Sequence, residues 1–233
     1  IRQTVQRANA IITVSRFTAR ELQELLQVPA ARVHAVHSGL DPAMHVPAES
    51  DVRDLRRRLH LPGPYLLTVG TLEPRKNIPF LLEVFERLEK VEVDLVIAGR
   101  RGWKYEPILA RLEQSPRRAR IHLVEDLDER DLPALYGGAE LFVLPSLYEG
   151  FGFPPLESMA CGTPAVVSTG GSLPEVCGDA AVVIPEFDAE LWAQEIRALL
   201  EAPGRLDALC QRGFAHARGF SWAETARQTW QVY

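Results

Sequence analysis

Tyr65-Leu66-Leu67-Thr68-Val69-Gly70-Thr71-Leu72-Glu73-Pro74-Arg75-Lys76-Asn77 opens as a short, β-rich apolar run, turns at a glycine and delivers two adjacent cations before a new pattern begins. In that pattern Ile78, Leu81, Phe85 and Leu88 recur at helical spacing, which gives a helix with one buried face. A second β-rich run follows at Val93–Ala98. Strand, helix and strand in that order read as a βαβ unit, so the two strands pair in parallel. Further runs at Ile121–Val124, Leu141–Leu144, Ala165–Val167 and Ala181–Ile184 continue the alternation, with Ile108, Leu109 and Leu112 marking another helix. The fold class is α/β, a parallel sheet covered by helices.

Upstream, the first forty residues form a separate unit: a strand at Ala10–Val14, a helix carrying Leu22, Leu25 and Leu26, and a strand at Arg32–His37. Thr18 and Glu21 are placed to form a capping box for that helix. Ser38 to Pro64 holds Gly39, four prolines and a charged helical piece, which locates a domain junction. From Asp188 onward the pattern is helical, with Gly204, Gly213 and Gly219 read as breaks.

The 233 residues carry a formal charge of −5 with 46% apolar and 24% charged residues, an ordinary globular composition that gives no sign of nucleic-acid binding. The runs Arg56-Arg57-Arg58 and Arg117-Arg118-Ala119-Arg120 read as solvated faces. Three cysteines, Cys161, Cys177 and Cys210, without a C-x-x-C pair, argue against a disulfide framework or zinc site. That usage, with no apolar run long enough to span a bilayer and no signal-peptide pattern, gives a cytoplasmic expectation. Both ends, at Ile1 and Tyr233, look like cuts in a longer chain.

In open parallel sheets ligands sit beyond the carboxyl ends of the strands, so residues just after each strand matter most. After the first strand, Gly70 lets the backbone turn closely and Arg75-Lys76 suits a diphosphate, the guanidinium gripping oxygens bidentately and the ammonium adding a point charge; taken alone, the segment reads equally as a polar strand–helix loop with two solvated cations. After the fourth comes Pro145-Ser146-Leu147-Tyr148-Glu149-Gly150-Phe151-Gly152-Phe153-Pro154-Pro155-Leu156-Glu157. A continuous helix would hold the two glutamates roughly 12 Å apart, but the glycines and prolines forbid one. A loop from Glu149 to Phe153 entering a helix near Pro155 brings both acids, free N–H groups and a helix N-terminus to one ligand. After the fifth, Ser168-Thr169-Gly170-Gly171-Ser172-Leu173-Pro174-Glu175-Val176 is a candidate phosphate or sugar loop.

Taken together, these segments resemble family 4 retaining glycosyltransferases of the GT-B fold. Glu149 to Glu157 resembles their Glu-x7-Glu motif, Val69 to Asn77 their first donor-domain loop, and Ala139-Glu140-Leu141-Phe142-Val143-Leu144-Pro145-Ser146, Ala160-Cys161-Gly162-Thr163-Pro164 and Pro174-Glu175-Val176 fit in order and spacing. The resemblance implies a Rossmann-like donor domain with helices on both faces at 65–220. It further implies a remnant of the N-terminal acceptor domain at 1–42, a linker at 43–64 and a helix at 221–233 crossing back. By the same resemblance Arg75 and Lys76, with Gly70 and Thr71 beside them, contact the diphosphate. Glu157 holds the ribose, Glu149 the hydroxyls of the transferred sugar, and the backbone of Gly150, Phe151, Gly152 and Phe153 lines the sugar pocket. The base lies near Val124 to Leu127. Fixed cations then stabilise the leaving nucleoside diphosphate with no metal and no cofactor. Two departures stand out: Thr71 replaces an arginine found in many relatives, and Glu125 a glycine.

The resemblance implies hexosyl transfer with retention from a nucleotide-sugar, and Leu72 to Asn77 resembles bacterial mannosyl or other hexosyl transferases of polysaccharide assembly, which favours GDP-mannose as donor. The acceptor, a sugar or lipid-linked sugar, would bind largely outside these residues, so the chain alone should be inactive, with any peripheral contact at the inner membrane face made through the missing domain. Three rivals compete: a glycosidase using Glu149 and Glu157, which leaves Arg75-Lys76 unexplained; a metal-dependent transferase using Asp126-Leu127-Asp128, acids that more simply cap the next helix; and a non-catalytic nucleotide-sugar sensor. His34, His37 and His45 read as surface or junction residues.

Overall fold

A computed structural model describes residues 2–233. The elements run α1 (Arg2–Arg7), β1 (Ile11–Thr13), α2 (Arg16–Leu26), β2 (Val33–Ala35), α3 (Glu49–Arg58), β3 (Tyr65–Val69), α4 (Ile78–Glu86), β4 (Asp94–Ala98), α5 (Glu106–Glu113) and β5 (Ile121–Val124). They continue α6 (Leu132–Gly137), β6 (Leu141–Leu144), α7 (Phe153–Ala160), β7 (Ala165–Ser168), α8 (Leu173–Cys177), β8 (Val182–Ile184), α9 (Ala189–Leu200), α10 (Pro203–Ala217) and α11 (Trp222–Trp230).

Six strands form one parallel sheet in the order β5-β4-β3-β6-β7-β8, and β1 pairs with β2 in a separate parallel ribbon. The chain builds outward from β3 to β5, returns to lay β6 against the other side of β3, and builds outward again. That reversal leaves a crevice between the carboxyl ends of β3 and β6, with Leu66 beside Leu141 and Leu67 beside Phe142.

Both faces of the sheet are covered, which is why its strands are continuous apolar runs rather than alternating ones. Leu67, Val96, Phe142, Leu144 and Val167 face one core with α3, α6, α7 and α8, whereas Leu66, Leu95, Ile97, Val143 and Val166 face the other with α4, α5 and α9. Burying each such leucine stabilises the fold by about 1.5–3 kcal/mol.

Four local expectations need correction. Ser15 rather than Thr18 caps α2, accepting from the Thr18 N–H at 3.1 Å, so Thr18 lies inside the helix and Glu21 instead accepts from the Tyr148 hydroxyl. Gly204 and Gly213 lie within α10; a Cβ at Gly213 would sit 2.9 Å from Met159 Cγ, so the glycine lets α10 press against α7. The arginine runs are only partly solvated faces: Arg57 and Arg58 are exposed, Arg58 pairing with Asp131, whereas the half-buried Arg56 donates to the Gly63 carbonyl. Arg117 lies over the Phe85 ring, and Arg120 pairs with Asp94. Finally, β1 and β2 are shorter than expected: the last rung runs from the Val36 N–H to the Thr13 carbonyl at 2.8 Å, and Ser15 already caps α2.

At the other end, α11 packs across residues 37–40. Thr225 donates to the His37 carbonyl at 2.8 Å, the Leu40 N–H donates to Phe220, and a Cβ at Gly39 would meet the Trp222 nitrogen at 2.2 Å.

Candidate functional site

The loops after β3 and β6 meet at the crevice, the Leu147 N–H donating to the Arg75 carbonyl at 2.7 Å. Pro74–Lys76 is a tight 3₁₀ turn, closed by Asn77 in the left-handed conformation, and it directs two consecutive cations at one carboxylate. Lys76 Nζ is 2.7 Å from Glu149 Oε1 and Arg75 Nη1 2.7 Å from Oε2, while Arg75 Nε pairs with Glu73 at 2.6 Å. Ser146 Oγ adds a third donor to Glu149 at 2.7 Å. Lys76 is only 5% exposed and Glu149 6%, whereas Arg75 faces solvent. Gly70 makes room for the ammonium: a Cβ there would lie 2.9 Å from Lys76 Cε.

Burial alone would raise the Glu149 pKa, but Lys76, Ser146 and Arg75 hold it below the ordinary carboxylate value. Glu157, one turn into α7, is the reverse. Burial raises its pKa against a single opposing hydrogen bond, the fully buried Tyr136 hydroxyl donating to Oε2 at 2.6 Å.

Among the other residues singled out, Gly150 to Phe153 adjoin Glu149 and lead into α7, with Gly152 in the left-handed region at φ 109°. Two of the backbone groups expected to face the sugar are already engaged: the Gly150 carbonyl accepts from Ser15 Oγ at 2.7 Å and the Phe151 carbonyl from Ser172 Oγ at 2.7 Å. Among the described residues the N–H groups of Gly150, Phe151 and Gly152 donate to no protein acceptor, and these are the groups left for a ligand. Phe151 itself is buried. Thr71 is exposed and its methyl packs on Gly102. Val124 and Leu127 are partly buried against the core, and Glu125 is held by Arg101 at 2.5 and 2.9 Å. Asp128 caps the short turn after it, accepting from the Arg130 N–H at 2.9 Å.

The glycine turn after β7 proves to be a buttress. A Cβ on Gly170 would lie 2.1 Å from the Ser146 carbonyl oxygen and one on Gly171 2.2 Å from that of Glu149, so only glycines permit the contact. Ser168 Oγ donates to the Ser146 carbonyl and the Ser172 N–H to that of Glu149. Sequence reading missed Tyr136, Ser146, Ser172 and Ser15, because ordinary serines and a tyrosine carry no signal until the fold places them. It also read His37 only as a junction residue, whereas His37 Nε2 is 2.7 Å from Glu175 Oε1.

Residues 53–215 match the model of the family described as "Glycosyl transferases group 1", and residues 1–44 that described as "Glycosyltransferase Family 4". The chain belongs to the group 1 glycosyl transferases. The chain is 35% identical over its whole length to a curated relative, the O-antigen chain mannosyltransferase B of Escherichia coli, of which it covers 62%. The chain therefore spans about three fifths of that relative. The sucrose-phosphate synthase of Thermosynechococcus elongatus superposes with a TM-score of 0.86 at 26% identity, over 100% of this chain and 59% of that one. Anabaena HepE, crystallised with UDP and glucose, gives 0.89 at 20% identity over 99% of this chain and 65% of its own, which speaks to the shared fold. The parallel sheet with helices on both faces is thus the Rossmann-like half of a GT-B glycosyltransferase.

Proposed function

We propose that this chain is the donor-binding part of a glycosyltransferase that moves a hexose from a nucleotide-sugar to an acceptor with retention of configuration. The observation that carries this reading is the convergence of Arg75, Lys76 and Glu149 at the β3/β6 crevice, beside unpaired N–H groups at the entry to α7. In the free protein Glu149 occupies the two cations. When the donor enters, its diphosphate takes the place of that carboxylate on Arg75 and Lys76, and Glu149 turns its oxygens to the sugar hydroxyls. Glu157, steadied by Tyr136, accepts from the ribose. As the bond to the anomeric carbon breaks, negative charge grows on the diphosphate, and cations already in place stabilise it without reorganisation. A glycosidase has no use for such cations at its carboxylate pair. Residues 1–42 belong to the acceptor-side domain, 43–64 link it to the donor domain at 65–220, and 221–233 return toward it.

Mannose is the proposed hexose and GDP-mannose the donor, supported by the similarity to a mannosyltransferase. The acceptor is a sugar or lipid-linked sugar, recognised largely by residues outside this chain, with any membrane contact made there too. Among the described residues no helix is long and apolar enough to cross a membrane. The 233 residues alone should bind donor but transfer nothing.

Calorimetry with UDP, GDP and ADP and their sugars tests the reading. Nucleoside diphosphate binding should persist in EDTA, because Arg75 and Lys76 carry the charge. Lys76→Ala should weaken diphosphate and nucleotide-sugar alike by roughly 10- to 150-fold, the worth of a charge-assisted contact, while barely affecting the free nucleoside. Equal loss for nucleoside and nucleotide would refute phosphate recognition by Lys76.

A further inference from the structure

The loop from Pro145 to Gly152 is fastened almost entirely by the donor side: by Arg75, Ser168 and Ser172. Two of its residues reach α2 instead: Tyr148, whose hydroxyl donates to Glu21, and Gly150, next to Glu149. The Gly150 carbonyl accepts from Ser15 Oγ at 2.7 Å and Thr18 Oγ1 at 3.3 Å, both at the start of α2, more than 130 positions earlier. Ser15 thus does two things at once, accepting from the Thr18 N–H as the cap of α2 and donating to the sugar loop.

The same helix end is held from a second direction. Glu175, on α8, accepts from the backbone N–H of Arg16 at 2.7 Å and of Phe17 at 2.9 Å, with His37 Nε2 at 2.7 Å. A carboxylate is the natural partner for the unsatisfied N–H groups and positive end of a helix. Glu175 lies three residues beyond Ser172, the residue that grips the Glu149 and Phe151 carbonyls. Phe17 meets the Tyr148 ring edge-on at 5.7 Å, and His37 lies between Phe151 and Phe220. The contacts close a ring: sugar loop to Ser172, α8 to Glu175, α2 to Ser15, and Ser15 back to Gly150.

We infer that Ser15 and Glu175 are positioning residues for the transferred sugar, holding the acceptor-side helix α2 against Gly150 and so fixing Glu149 and the free N–H groups beside it. This rests on the donor-site reading above. Neither residue touches the diphosphate cations, so their effect should appear in the sugar increment, the ratio of nucleotide-sugar to nucleoside diphosphate affinity. A loop misplaced by about 1 Å is enough to cost catalysis severely.

The test uses the full-length protein and whichever of the UDP, GDP or ADP pairs, nucleotide and nucleotide-sugar, the wild type binds tightest. Glu175→Gln puts an amide N–H against a backbone donor, Ser15→Ala removes cap and donor together, and Ser15→Asp keeps the cap but cannot donate to Gly150. Ser15→Thr keeps both functions. The first three should lose about tenfold in sugar increment and in kcat, with nucleoside diphosphate affinity within about twofold of wild type, and Ser15→Thr should behave like the parent. An unchanged increment, an equal fall for both ligands, or an Ser15→Asp protein as good as wild type would overturn the inference while leaving the donor site standing. A wild type that binds no nucleotide would remove the donor-site reading, and this inference with it.

Discussion

Glu149 and Glu157 are the same residue type eight positions apart, yet the two regions that hold them perturb them in opposite directions. The Glu149 loop is built from polar contacts: two cations and a serine hydroxyl converge on its carboxylate, and burial that would otherwise favour the neutral acid is overcome. The Glu157 helix is built from apolar packing, with Leu156 and Met159 in the core and one phenol as partner, so burial prevails. On the proposed reading the first acid is a negative charge traded against an incoming anion, and the second a hydrogen-bonding group for neutral hydroxyls. One short motif therefore supplies two chemistries because it crosses from a loop into a helix.

The largest effect that could break this contrast is on stability. Glu149→Ala leaves Lys76 buried without its ion-pair partner, and breaking a buried pair in this way costs about 3–5 kcal/mol. Urea unfolding should show that loss, and Glu157→Ala should show much less. Similar losses for both would mean the two sites are electrostatically alike.

Next in size is removal of the phenol. Tyr136→Phe deletes one buried hydrogen bond, costing about 1–3 kcal/mol where a group is left unsatisfied, and should push the Glu157 pKa still higher. The pH dependence of unfolding separates the acids further. Glu149, depressed in the fold, contributes stability above the ordinary value of 4.5 that is lost as pH falls through its folded pKa. Glu157, raised in the fold, contributes stability below 4.5 that is lost as pH rises through its folded pKa. Glu149→Gln should therefore flatten the acid loss, and Glu157→Gln should remove the opposing gain. Changes of the same sign in both variants would collapse the distinction.

Strands β3 and β6 were legible in the sequence to the residue, because a strand buried on both faces leaves an apolar run that stops at a glycine, proline or charge, and the half-buried edge strand β5 was bounded by Arg120 and Glu125. The loops bearing Arg75, Lys76 and Glu149 were legible too, since polar residues at the carboxyl ends of such runs have few other reasons to gather. What stayed hidden depends on distance along the chain. That the two cations would close on Glu149 itself is a tertiary fact. The α2 cap was read at Thr18, whereas Ser15 takes it, bonded to Gly150 while Glu175 holds the next two N–H groups, both partners far away in sequence. Tyr136 points at Glu157 only because α6 and α7 pack together.

The separate roles of the two glutamates are tested most directly by isothermal titration of Glu149→Gln and Glu157→Gln with the nucleoside diphosphate and with its sugar. Glu157→Gln should weaken both ligands together, because the ribose is common to them. Glu149→Gln should leave the nucleoside diphosphate within about threefold of wild type, tighter if anything because two cations are released, and should lose roughly tenfold or more of the nucleotide-sugar affinity. If Glu149→Gln lost nucleoside diphosphate affinity as severely as Glu157→Gln, the division of one donor between two carboxylates would be wrong, and the pair would be a single structural cluster supporting the loop.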